Sequence, residues 1–350
     1  MVKGRLHSLD ILRGLMALSV AVYHLSILTN LSEAGSRTNN LIAIFGNYGV
    51  EGFFIVSGFC FFYLYNDTTW TLGELRRFHL KRFFRIAPLY YLAVGLNLAL
   101  HLHVGPQVTP RMLAENATLT FGLFHPNHAL VLGGWSIGIE YVFYMAFPLL
   151  AFFTRRKILL VLLTLAFVAL AWPWTFGAVQ AASFEGNQKF HTYVQIPNHA
   201  FLFLLGGMVA WWRSLTTWRL RWPWFVGALV VVFLVALPRG PVSYDHFDNM
   251  AGTARLKYVG LCWATVALFA FYDVPDQPWR KPLTFLGDAS YSVYLLHPFV
   301  ILAMQTWLPA KVSPLLTFAL GLAFTLLLAG IVYRWVENPA MGLGKRLAAR

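Results

Sequence analysis

Charge is what this sequence has least of. Of its 350 residues only 12% are Asp, Glu, Lys or Arg, and only 14 are acidic. That is about half the charged share of a soluble domain, too little to cover a water-exposed globule. Cysteine is nearly absent. Cys60 and Cys262 both lie in apolar runs, without metal-ligand spacing, which excludes a disulfide-stapled fold and reads as two small hydrophobes. There is no long polar tract, low-complexity segment or fixed-period repeat, so disordered, collagen-like and solenoid classes are excluded. No motif for a metal, a nicotinamide or a nucleoside triphosphate is present, so no metal is expected and activity is expected to survive a chelator.

What the chain has instead is apolar sequence. Hydrophobic residues make up 58% and aromatic residues 17%, and the mean hydropathy is +0.59. Runs of about 20 apolar residues recur between Ile11 and Val336. They predict an all-α polytopic integral membrane protein with about ten transmembrane helices. These fall at 8–30, 41–65, 86–104, 136–154, 158–176, 198–213, 223–238, 255–273, 286–307 and 314–335. One membrane domain over 1–350, with no appended soluble domain, accounts for the chain. The first run follows Met-Val-Lys-Gly-Arg but lacks a small-residue cleavage site and is interrupted by Arg13, so it reads as a retained span.

A formal charge of +13 suits nucleic-acid binding or a membrane, and the distribution decides. The basic residues cluster between apolar runs, as at Arg76–Arg85, Arg155–Lys157 and Lys345–Arg350. With ten spans the tally is about 19 on the side of the termini against 7 on the other. The positive-inside rule then makes both termini cytoplasmic, and no nucleic-acid partner is expected. The loops at about 105–135 and 177–197 carry His125, Asn127, His128, Asn187 and His191, groups suited to touching a sugar or simply to interfacial loops. Asn116-Ala-Thr matches a glycosylation sequon.

Ionisable side chains inside apolar spans are costly, and each is by default a functional hypothesis. Arg13 and His24 are eleven residues apart on helix 1, so they share a face within about 20° and lie about 16 Å apart. Glu140 in helix 4 follows Ser136 and precedes Tyr144 at four-residue steps, a polar stripe on an apolar helix. The ten-helix topology puts Glu140 and His24 at similar depth. A carboxylate beside an imidazole is a general-base pairing; a structural polar contact is the alternative. Helix 2 holds Glu51 and Ser57 with Gly49, Gly52 and Gly58, glycines that fit close approach by a helix or a ligand. Arg82 and Arg85 belong to a basic, aromatic segment that suits anionic lipid or phosphate. Pro298 beside His297 is expected to kink helix 9, and Glu337 to pin the last helix near Arg334.

The sequences Leu9-Asp-Ile-Leu-Arg through His24, Gly49-Val-Glu-Gly-Phe-Phe-Ile-Val-Ser-Gly-Phe and Lys81-Arg-Phe-Phe-Arg-Ile-Ala-Pro occur in that order. Trp135-Ser-Ile-Gly-Ile-Glu-Tyr-Val-Phe-Tyr, Ser290-Tyr-Ser-Val-Tyr-Leu-Leu-His-Pro and Glu337-Asn-Pro follow. Together they make the chain resemble the membrane-bound acyltransferase-3 family, which acylates extracytoplasmic glycans. The resemblance implies acetyl-CoA as cytoplasmic donor and a glycan or lipid-linked oligosaccharide as acceptor, most readily exopolysaccharide, with the lipid bilayer of a bacterial plasma membrane around it. It implies His24, Glu140 and Arg13 in catalysis, with His24 as base or transient acyl carrier. Arg13, Arg82, Arg85, Ser57 and Tyr291 are implied for the donor, and Glu51, Trp135, Ser136, Tyr144 and His297 for the acceptor. Ser57, Tyr144, Tyr291 and Tyr294 all remain open as oxyanion donors. Acylation of a small molecule such as a macrolide is the second enzymatic reading, and a flippase or structural subunit the non-catalytic ones.

Overall fold

A computed structural model of the chain describes residues 4–31, 36–100, 107–182, 188–238, 249–307 and 312–350. Their regular structure is helical throughout. Helices α1 (His7–Thr29), α2 (Arg37–Tyr65) and α3 (Leu72–Ala99) precede the short α4 (Pro110–Thr118), α5 (Phe121–Phe124) and a 3₁₀ turn at Pro126–His128. Next come α6 (Gly134–Phe153), α7 (Lys157–Pro173), a π-helical stretch at Trp174–Ala178, α8 (Val179–Ala181) and α9 (Gln188–Tyr193). A 3₁₀ turn at Ile196–Asn198 leads to α10 (Ala200–Ser214), α11 (Trp222–Ala236), α12 (Gly252–Phe271), α13 (Arg280–Asp288) and α14 (Ser290–Trp307). The chain ends with α15 (Pro314–Val332), a second π stretch at Tyr333–Glu337 and α16 (Asn338–Ala349).

Among the described residues six helical segments are long and apolar enough to cross a membrane, or seven if the bent pair α13–α14 is one span. The other expected spans are helical but fall outside that set. α10 and α11 have 15 residues each, short of the ~20 that a bilayer core needs. α3 starts well before 86, because the Thr71 hydroxyl caps it by accepting from Glu74 N and the basic segment joins its first turns. Residues 101–104 of the expected third span lie outside the described residues. Large apolar side chains stay exposed on the outer faces of α7, α11 and α15, among them Leu162, Leu165, Val231, Leu315, Phe324 and Leu327. Such a belt belongs in lipid, and the chain is a multi-pass integral membrane protein.

α2 is the centre of the bundle, packed between α1 and α10. Small residues let the backbones meet there. A Cβ at Gly58 would collide with the Phe203 backbone and one at Gly206 with that of Ile55, while Gly49 and Gly52 face Met16 and its neighbours on α1. The glycines of helix 2 therefore serve helix packing. Gly58→Val is expected to cost about 1–3 kcal/mol through overpacking, read as a fall in unfolding temperature of the purified protein with helix content kept.

The bend in the expected ninth span is not at Pro298. α14 runs through Pro298, and the chain turns by 68° between α13 and α14. Packing sets this place: Gly287 rests on the backbone of Asp10 and Gly14 on Leu286, so α13 lies flat against the start of α1. Arg5 fastens the corner, pairing with Asp10 at 2.6 Å and with Asp288.

Candidate active site

α1 presents His24 and α14 presents His297 to each other. His297 Nε2 and His24 Nδ1 are 3.1 Å apart, and the rings stack with centroids 5.0 Å apart. His24 Nδ1 is also 3.0 Å from the Val20 carbonyl, and His297 Nδ1 is 3.3 Å from that of Val293. One tautomer assignment satisfies every contact: both Nδ1 atoms carry protons, each donating to its own helix, and His24 Nδ1–H also reaches the bare His297 Nε2. That assignment leaves His24 Nε2 unprotonated, and it has no hydrogen-bond partner among the described residues. An imidazole in this state can accept a proton or attack an acyl carbon.

Below this pair, toward Arg13, lies a small cavity of about 30 Å³ lined by Arg13, Ser136, Glu140, Ser290, Tyr291 and Tyr294 with apolar neighbours. Tyr294 joins the two levels: its ring centroid is 6.0 Å from that of His297, and its hydroxyl meets Ser136 Oγ at 2.7 Å and the Gly133 carbonyl at 3.0 Å. Ser57 Oγ and Tyr144 OH both donate to Glu140 Oε1 at 2.5 Å. Glu140 Oε2 has no hydrogen bond among the described residues. Arg13 likewise has neither a hydrogen bond nor an ion pair among them. An unpaired guanidinium and a half-satisfied carboxylate thus line one small cavity, where both gain from a polar ligand.

Glu140 does not orient His24. The start of α6 is held at the level of Tyr294 by the Gly133 carbonyl, so Glu140, seven residues on, sits about 10 Å deeper. It therefore shares the cavity with Arg13, and the histidine partner comes from α14.

Arg82 is caged by aromatic rings. Its guanidinium lies 4.5 Å from the Phe61 centroid and 5.7 Å from that of Tyr144, and Nη2 donates to Tyr65 OH at 3.1 Å. Arg85 is already neutralised: it pairs with Glu337 at 2.5 Å, and Ser292 donates to the other oxygen of that carboxylate at 2.6 Å. A free phosphate clamp at Arg85 is thus corrected to a clasp between α3, α14 and the last helix. Glu337, at the end of the π-helical stretch, thus pins the start of the last helix through Arg85 and Ser292.

Two acceptor-side residues sit elsewhere. Glu51 is buried in an ion pair with Arg255 at 2.8 Å and accepts from Tyr193 OH at 2.9 Å. Arg255 also donates to the Asn198 carbonyl at 2.7 Å. Glu51 is therefore corrected from ligand group to half of an internal salt bridge. Trp135 packs on Phe54, Tyr193 and His199, a wall of that same cluster. The four hydroxyls open as oxyanion donors all have partners, since Tyr291 donates to the Ile86 carbonyl at 2.9 Å and the other three are bonded as described. Ser290, which the sequence did not single out, has a fully buried hydroxyl on the cavity without a partner.

Asn116 is buried and its amide is spent within the fold. Oδ1 accepts from Tyr90 OH at 2.5 Å and from Leu130 N at 3.0 Å, and Nδ2 donates to the Met112 and His128 carbonyls at 2.8 Å each. In the folded chain it is a structural clamp, not a glycosylation site. His125 and His128 contact Glu115, and Asn187 lies outside the described residues.

A family model described as an acyltransferase domain matches residues 6–334, so the match takes in α1 to α15 and every residue of this cavity. The chain belongs to the acyltransferase-3 family. It is 25% identical over 99% of its length to Nodulation protein 10 of Rhizobium leguminosarum bv. viciae, covering 96% of that protein. It is 23% identical to O-acetyltransferase OatA of Staphylococcus aureus, over 95% of this chain and 57% of the relative. Peptidoglycan O-acetyltransferase OatA of Listeria monocytogenes is 24% identical, with 55% of its length covered. The chain thus spans little more than half the length of these O-acetyltransferases. No solved structure matches it.

Proposed function

We propose that this protein transfers an acyl group, most readily acetyl, from cytoplasmic acyl-CoA to a hydroxyl of an extracytoplasmic or lipid-linked glycan, and that exopolysaccharide is the first acceptor to try. The observation that carries this reading is the His24–His297 pair, with His24 Nε2 free, above a cavity that holds Arg13 and Glu140. The orientation it needs has about ten membrane-crossing helices, counting α3 and the short α10 and α11, and both termini in the cytoplasm of a bacterial cell. The names of the O-acetyltransferase relatives agree with a glycan acceptor.

In this reading the acceptor oxygen attacks the thioester carbonyl carbon while His24 Nε2 takes the hydroxyl proton. The new C–O bond forms as the C–S bond breaks, and the proton on His24 goes to the departing thiolate. His297 Nε2 accepts the hydrogen bond that His24 Nδ1–H donates and so stabilises the imidazolium, the role that sequence alone gave to Glu140. Arg13 and Arg82 supply positive charge for coenzyme A phosphates, and Glu140 holds Ser57 and Tyr144 in place beside them. The unpartnered Ser290 hydroxyl lines the same cavity, but it stands seven residues before His297 on α14, about 10 Å deeper, so it serves the donor side with Arg13 and Glu140. Ser290→Ala is expected to raise KM for acetyl-CoA with little change in kcat. A fall in kcat at unchanged KM would place Ser290 at the reacting carbonyl instead.

The function is tested by giving isotopically labelled acetyl-CoA to the cytoplasmic face of oriented membrane vesicles that hold the protein, with exopolysaccharide at the other face. Labelled ester on the glycan is the expected result. Label that stays on coenzyme A with every glycan, yet reaches a macrolide, would move the assignment to a small-molecule acyltransferase.

A further inference from the structure

Glu115, His125 and His128 converge away from the His24–His297 pair, with one donor atom of each within 4.8 Å of the others. Glu115 Oε1 is 3.0 Å from His125 Nδ1, and Oε2 is 2.7 Å from His128 Nδ1. The two imidazoles stack with centroids 4.6 Å apart. The scaffold beneath is rigid. Glu115 is on α4, His125 precedes and His128 ends the following 3₁₀ turn, and the buried Asn116 amide ties α4 to that turn through the His128 carbonyl.

We propose that Glu115, His125 and His128 bind a divalent transition metal, with Zn²⁺ the best-matched ion. Two imidazole nitrogens and one carboxylate oxygen are a borderline-soft set that suits zinc better than magnesium or calcium. Three protein ligands leave a fourth position for water. To close on an ion the side chains must move by about an ångström, which is open to His125 and His128, 31% and 23% exposed.

Arg111 is the competitor. Its Nε is 2.8 Å from Glu115 Oε1 and its Nη2 is 3.2 Å from His125 Nε2, while its side chain is 65% exposed and free to swing out. The bound ion locks α4 onto the 3₁₀ turn and so steadies the segment that leads to Gly133 and the start of α6. It takes no part in the reacting atoms. The ligands escaped the sequence motifs because nine residues, including α5, separate Glu115 from His125.

The test uses the full-length protein in detergent, stripped with a chelator and titrated with Zn²⁺ alone by calorimetry and with Co²⁺ by absorption. One ion per chain is expected, with a visible cobalt band and a raised unfolding temperature. His125→Ala with His128→Ala should weaken binding about tenfold or more and remove the band, and Arg111→Ala should tighten it. Should the double variant not fold, Glu115→Gln and Arg111→Ala carry the test, with weaker and tighter binding expected. Binding that is absent, or that none of these substitutions moves, overturns the proposal.

Discussion

His297→Ala is expected to lower acceptor-dependent acyl transfer by about 10²-fold or more. The reason is the second nitrogen of the base. His297 Nε2 lies 3.1 Å from His24 Nδ1, so it both fixes the tautomer that leaves His24 Nε2 bare and shares the charge when His24 takes a proton. Glu140→Gln has a different expected signature. Glu140 holds Ser57 and Tyr144 and shares a cavity with Arg13, so its loss should raise KM for acetyl-CoA along with any fall in kcat. Steady-state kinetics on the two variants separates the roles. A kcat-only defect in Glu140→Gln beside near-normal His297→Ala would restore the carboxylate as the partner of His24.

The second large effect concerns stability. Arg255 and Glu51 are each 1% exposed and 2.8 Å apart, with Tyr193 and the Asn198 carbonyl completing the cluster. Arg255→Met alone strands a buried carboxylate and is expected to cost about 3–5 kcal/mol, whereas Arg255→Met with Glu51→Gln should recover much of that. Thermal unfolding of the purified variants reads this directly. Equal losses in the single and double variants would mean that Arg255 acts by packing, not by pairing.

Much of the site was legible from one helix at a time. Arg13 and His24 share a face because helix geometry fixes it, and the Ser136-Glu140-Tyr144 stripe survives as a bonded pair and a cavity wall. Contacts between helices were not legible. The partner of His24 depends on where α6 begins in the bundle, and that is set by the Tyr294 bond to Gly133, which no sequence period encodes. Arg255 stands at the edge of an apolar run, where sequence alone does not distinguish it from the loop cations. Its role follows once Glu51, costly and unpaired in α2, is seen to need a cation. The bend before α14 was missed for a similar reason: Pro298 is a visible breaker, but the turn is made where Gly287 meets the Asp10 backbone.

The central claim is that His24 performs the chemistry on acyl-CoA. The measurement that tests it most directly is coenzyme A release from acetyl-CoA by the purified full-length protein in detergent, with and without glycan acceptor, beside His24→Ala. The account predicts glycan-dependent release that falls by about 10²–10⁴-fold in His24→Ala, while that variant still binds acetyl-CoA. Release that persists undiminished in His24→Ala would contradict it.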